Sequence, residues 1–128
     1  MLTRGAPYFI VADVDKASAY YERVLGFRSE YSAGTPAQFA IVSRDGLPVM
    51  LRLASPGTTI VPNAAQGGTW DAFFWTRDVR ALRDELAAKG ATLAYDLVYQ
   101  DAYQMEEFAI RDLDGYVLGF GESKRPDV

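Results

Sequence analysis

Any chemistry in this chain has to proceed without the usual groups. It contains no histidine and no cysteine. The commonest general base at neutral pH and the commonest transition-metal ligand are therefore absent. A Ser-His-Asp relay is excluded, as are thiolate nucleophiles, thiolate ligands and disulfides. What remains are carboxylates, arginines and aromatic rings. Asp71, Phe73 and Trp75 alternate along a β-favouring run, so one face of a strand carries all three. Turned toward a cavity they make an aromatic wall with a charged end, suited to a planar or cationic molecule; turned inward, Phe73 and Trp75 are ordinary core. By the same alternation Tyr8 shares a face with Ala6 and Ile10. Glu106 and Glu107 are adjacent and point to opposite faces. One of them could serve a cavity as an acid or cation partner, although either alone reads as a solvated surface residue. Asp112-Leu-Asp-Gly115 superficially resembles a calcium loop but lacks the remaining ligands and the closing glutamate, so turn chemistry is the better reading.

The elements that must position these residues come twice. Phe108-Ala-Ile, followed by Asp114-Gly115, repeats Phe39-Ala-Ile followed by Asp45-Gly46. Each reads as two apolar strands joined by a tight turn at Asp-Gly, whose residues tolerate positive φ. Upstream, Asp13-Val14, a helical stretch and Gly26 match Asp78-Val79, a helical stretch and Gly90. Both matches fall at nearly one offset, close to half the chain, which indicates tandem duplication. Asp13 or Asp15 can cap the first helix and Asp78 the second, and each glycine sits where helices stop in left-handed geometry. The apolar spacing predicts helices over 16–25 and 79–89, with Ala17, Tyr20, Tyr21, Val24 and Leu25 on one buried face and Val79, Leu82 and Leu86 on the other. Strands are expected at 7–11, 27–31, 38–42, 49–53, 71–76, 92–98, 105–111 and 117–121, with an aromatic loop at 99–104. Each repeat thus reads strand, helix, strand, strand, strand, and the fold class is α+β.

Length, charge and apolar content set outer limits. At 128 residues the chain is expected to be a single domain, with module one at about 1–55, a linker at about 54–69 and module two at about 70–122. Neither module could bury much surface alone. Net charge is −4 and the pI about 4.7. The absence of a basic stripe argues against nucleic acid as a partner. No long apolar run suggests a signal peptide or a membrane span, and a cytoplasmic location is expected.

Several segments together resemble the vicinal oxygen chelate superfamily, which includes glyoxalase I, extradiol dioxygenases and bleomycin resistance proteins. The carriers are Val11-Ala-Asp13, Tyr20-Tyr21 and Leu25-Gly26-Phe27, then Trp75-Thr-Arg-Asp78 and Lys89-Gly90-Ala91, then Arg111-Asp-Leu-Asp-Gly-Tyr116. In the last, Leu113 stands where the family usually has proline. The resemblance implies two tandem βαβββ modules forming a curled mixed sheet, with helices outside and ligand inside. In the family's metal enzymes the first and last strand of each module supply the ligands. Those positions fall here at Ala6, Arg52, Asp71 and Gly119. Two have no donor, one is a permanent cation, and only Asp71 could bind an ion. What the resemblance implies is a protein of the bleomycin-resistance type, without metal or cofactor, that binds a small molecule and acts by sequestration. Ligand-binding residues are expected at Tyr8, Arg52, Asp71, Phe73, Trp75 and Glu107, and a homodimer is implied. The alternative is a glyoxalase-like lyase, isomerase or dioxygenase-family enzyme that uses Asp71 or Glu107 as base, with Arg52 steadying an anionic intermediate.

Overall fold

Two aspartates begin the helices. In the computed structural model, which describes residues 1–126, the Asp13 carboxylate accepts from the Lys16 N–H at 2.9 Å. Asp78 does the same for the Ala81 N–H at 3.0 Å. Each side chain satisfies one of the backbone donors that a helix start leaves orphaned. Helix α1 runs over Val14–Arg23 and α2 over Val79–Ala88. Gly26 (φ 75) and Gly90 (φ 92) follow in left-handed geometry. The first helix begins at Val14, two residues before the expected start at 16, because the Asp13 cap sets the start.

The strands are β1 (Tyr8–Val11), β2 (Arg28–Ala33), β3 (Phe39–Arg44), β4 (Leu47–Leu53), β5 (Ala72–Trp75), β6 (Thr92–Gln100), β7 (Met105–Arg111) and β8 (Val117–Ser123). A 3₁₀ turn at Asn63–Gln66 lies within the linker region. The class is α+β, built from two βαβββ modules. The mixed sheet comes as two sheets of four strands, ordered β1-β4-β3-β2 and β5-β8-β7-β6. The β1–β4 and β5–β8 pairs are parallel and all other pairs are antiparallel. The identical order is what duplication of one module produces. By contact density the chain divides into a unit of Met1–Val61 and a unit beginning at Pro62.

In the first unit α1 covers one sheet face. Val14, Ala17, Tyr21 and Leu25 are buried, as are Phe9, Val11, Ala40, Val42, Val49 and Leu51 from the strands. In the second, Val79 and Leu86 of α2 are buried with Phe108, Ile110, Leu118 and Phe120. Phe74, Phe120 and Phe108 stack in sequence, with centroids 5.7 and 5.3 Å apart. The two buried rings, Phe108 and Phe120, each contribute about 1.5–3 kcal/mol by leaving water.

Two local expectations are corrected. At Asp45-Gly46 both residues take positive φ (52 and 78), as a tight hairpin requires. The Asp114-Gly115 turn is wider, and there only Gly115 has positive φ. The Asp112 carboxylate reorganises it by accepting from the N–H groups of Asp114 (3.0 Å) and Tyr116 (2.9 Å). Side-chain bonds of this kind replace a backbone turn. The other correction is that Tyr99 and Gln100 belong to β6, leaving a turn of only 101–104. Cross-strand pairing of Tyr99 with Glu106 and Gln100 with Met105 extends the strand. No helix among the described residues is long and apolar enough to cross a membrane.

Candidate functional site

The chemistry gathers on the second unit's sheet, on the face away from α2. Register places Phe73 beside Gly119 and Trp75 beside Gly121, and pairs Glu107 with Gly121 and Ala109 with Gly119. These residues therefore share that face. The two glycines leave room for rings to lie against the strand. A Cβ at Gly119 would sit 2.6 Å from Trp70 Cδ1 and 2.7 Å from Phe73 Cδ2. At Gly121 it would sit 2.7 Å from Phe73 Cζ and 2.6 Å from Met105 Cε. Over this floor run three rings in edge-to-face contact: Trp70 with Phe73 at 4.7 Å, and Phe73 with Trp75 at 5.1 Å. Trp75 is 67% exposed, so the row ends open to solvent.

Below the row lies a buried carboxylate. Glu107 is 1% exposed. Its Oε1 accepts from the Tyr103 hydroxyl at 2.7 Å and the Tyr95 hydroxyl at 3.2 Å. The Tyr95 oxygen accepts in turn from Trp70 Nε1–H at 2.8 Å. Each proton in the chain Trp70, Tyr95, Glu107 has one direction available, so the three groups are mutually oriented. Glu107 Oε2 is buried and has no hydrogen-bond partner among the described residues. Glu106, one residue earlier, turns the other way and pairs with Arg80 of α2. The solvated reading of Glu107 is thus corrected: alternation puts one glutamate at the helix side and the other under the rings.

Burial, together with the adjacent Glu107 carboxylate, pushes the Tyr95 phenol up to about 12, against the pull of the Trp70 N–H. The same causes raise Tyr103, burial first. A phenol raised above its unfolded value contributes stability that is fully present below about pH 10, and that stability is lost as pH rises through the folded value. Alkaline titration followed by ultraviolet difference absorbance should show a late step near pH 12. That step should be missing in the Tyr95→Phe/Tyr103→Phe double variant.

Asp71 lies at the start of β5 with both oxygens engaged. Oδ1 accepts from the Asn63 N–H and Oδ2 from the Val117 N–H, each at 2.8 Å. Asn63 also donates from Nδ2 to the Trp70 carbonyl at 3.0 Å. The linker's 3₁₀ turn therefore fixes the segment that carries Trp70. Asp71→Ala should lower stability by about 1–2 kcal/mol, since it orphans two backbone donors, and Asp71→Asn by less. Thermal unfolding of both variants measures this.

The remaining expected residues lie in the first unit, on the face away from α1. Arg52 is exposed on β4, opposite Ile10 and Phe39. Tyr8 is 54% exposed on β1, opposite Met50. Ala6 lines a shallow apolar depression with Ile41, Pro48 and Met50.

The four family ligand positions do not fit a metal ion. Ala6 and Gly119 offer no side-chain donor, and Arg52 offers only positive charge. The Asp71 oxygens are held by backbone N–H groups, and rings cover Gly119. Among the described residues no group of three or more acidic, histidine or cysteine side chains is placed to hold an ion.

Trp70, Tyr95 and Tyr103 are the residues of this candidate site that sequence reasoning did not assign. The available signal was a pair of glycines alternating with Leu118 and Phe120, which marks close approach to a strand.

Known proteins agree with this architecture. The model of the Glyoxalase/Bleomycin resistance protein/Dioxygenase superfamily matches residues 6–120, and the chain belongs to that superfamily. A search of curated protein sequences finds no match. Among solved structures the chain is similar to TioX from Micromonospora sp. ML1, at 24% identity and a TM-score of 0.75, covering 94% of this chain and 98% of that one. It is similar to the bleomycin-binding protein of bleomycin-producing Streptomyces verticillus, complexed with copper(II)-bleomycin, at 21% identity, a TM-score of 0.70 and 98% of both chains. A superfamily member from Sphaerobacter thermophilus DSM 20745 aligns at 21% identity and a TM-score of 0.75, covering 96% of this chain and 98% of that one. At these identities the likeness speaks for the fold.

Proposed function

We propose that this protein binds a small planar organic molecule, without metal, and acts by sequestering it as bleomycin resistance proteins do. An antibiotic or a similar planar or cationic compound is the kind of cargo intended. The observation that carries the reading is the ring row Trp70, Phe73 and Trp75, open at Trp75 and floored by two glycines. Flat aromatic walls with few polar groups suit a planar guest. The bleomycin-binding protein among the structural relatives lends support to a small-molecule role. Asp71 stands at the edge of this surface. Tyr8 and Arg52 are retained as candidate contacts on the first unit's own open face. We further propose a cytoplasmic homodimer, the commonest symmetric assembly, which light scattering of the purified protein checks.

Intrinsic fluorescence gives a direct test. The chain has two tryptophans, Trp70 and Trp75, and both belong to the row. Saturable quenching is expected with acridone, a neutral planar three-ring compound. Trp75→Phe should weaken it about fivefold, the equivalent of about 1 kcal/mol of ring contact. A variant that binds as tightly as the parent would remove the row from the site.

The enzyme reading is favoured by the same unpartnered Glu107 oxygen, which could accept a proton from a bound substrate. Mass spectrometry of the compound recovered after incubation separates the two: sequestration returns it unchanged.

A further inference from the structure

The sheet face carries one polar group that its own neighbours do not complete. Tyr95 and Tyr103 both donate to Glu107 Oε1, while Oε2 is buried with no donor among the described residues. Leaving a buried carboxylate half-paired is costly, because a desolvated charge needs compensating hydrogen bonds or an opposite charge. The described residues supply neither to Oε2. On the sheet's other face Arg80 pairs with Glu106, and Lys124 with Glu122 at 2.9 Å and Glu106 at 3.7 Å. Around Glu107 the side chains are instead aromatic or apolar: Trp70, Phe73, Tyr95, Tyr103 and Met105. A single acceptor beneath ring faces and edges is the arrangement that selects a cation bearing N–H groups.

Resting on the small-molecule reading above, we propose that Glu107 Oε2 is the specificity determinant of this site. It accepts an N–H from a positively charged nitrogen (ammonium, amidinium or protonated heteroaromatic ring) of the planar ligand. The Trp70–Tyr95 relay and Tyr103 hold Oε1, which fixes the carboxylate plane and aims Oε2. Entry is by displacement of Met105, whose unbranched thioether lies over Gly121 beside Glu107. No covalent step is involved.

The test compares proflavine, a planar three-ring cation with N–H donors, with neutral acridone of the same outline, on the full-length protein at pH 7. Calorimetric titration should give proflavine at least a tenfold tighter Kd than acridone. In Glu107→Gln the proflavine advantage over acridone should disappear. Should that variant fail to fold, wild-type protein labelled with ¹³C at glutamate side-chain carboxyls serves instead. Proflavine should then shift one buried carboxyl resonance, and acridone should leave it in place. Equal affinity for the two compounds overturns this inference and leaves the aromatic site standing. A proflavine preference that survives Glu107→Gln, or no carboxyl shift with proflavine bound, overturns it too. Binding of neither compound overturns the small-molecule reading itself, and the inference with it.

Discussion

Phe108→Ala should lower the free energy of unfolding by about 3–5 kcal/mol, the range for removing a fully buried ring. Phe108 has no exposure and stacks on Phe120, which stacks on Phe74. Removing it opens a cavity at the buried end of that stack, on the helix side of β7. A loss of this size is a large share of the roughly 5–15 kcal/mol that holds a domain together. It should appear as a lower denaturant midpoint with an unchanged slope. The functional consequence follows from the chain itself, because Phe108 is the residue after Glu107 on β7. Loosening the strand from behind should blur the carboxylate's position, so planar-ligand binding should weaken in the folded fraction as well. A variant as stable as the parent would mean that the stack contributes little.

Gly119→Val should be the most damaging change on the face of the sheet away from α2. Its Cβ would fall within 2.7 Å of both Trp70 and Phe73, and its two methyl groups would reach further. Strand β8 is paired with both β5 and β7, so it has no free edge toward which to retreat. Overpacking of this kind costs about 1–3 kcal/mol. Displacing Trp70 also breaks its bond to Tyr95, worth about 1 kcal/mol more. Binding of acridone should be abolished even in protein that remains folded, and the tryptophan emission should shift to longer wavelength. Gly5→Val is the control. No atom lies within 4 Å of a Cβ there, so its effect should stay within about 0.5 kcal/mol.

The parts of this molecule that local rules govern were legible in the sequence. Asp13 and Asp78 cap their helices because a carboxylate three residues before a backbone N–H is a contact made within one turn. The repeated module was readable because two copies printed the same punctuation. Strand alternation put Phe73 and Trp75 on one face and separated Glu106 from Glu107.

What the sequence could not show depends on distance or on broken alternation. Tyr95 reaches Glu107 across two strands and Trp70 across 25 positions. Moreover, β6 carries register irregularities on both sides of Tyr95, between Leu93 and Tyr95 and between Tyr95 and Val98. A bulge re-aims every later side chain, so counting residues could not say which face Tyr95 takes. Gly119 looked like a lost ligand position, yet its role is steric, as the seat for two rings. Asp71 looked available because nothing in the sequence reveals that the Asn63 and Val117 N–H groups claim its oxygens.

We propose that an aromatic face, with no metal, does the binding. Tryptophan fluorescence of chelator-dialysed protein, titrated with proflavine, tests it most directly. Saturable quenching at one molecule per chain is expected, unchanged when zinc, manganese or nickel is added back. Quenching that appears only after a metal is restored would contradict it.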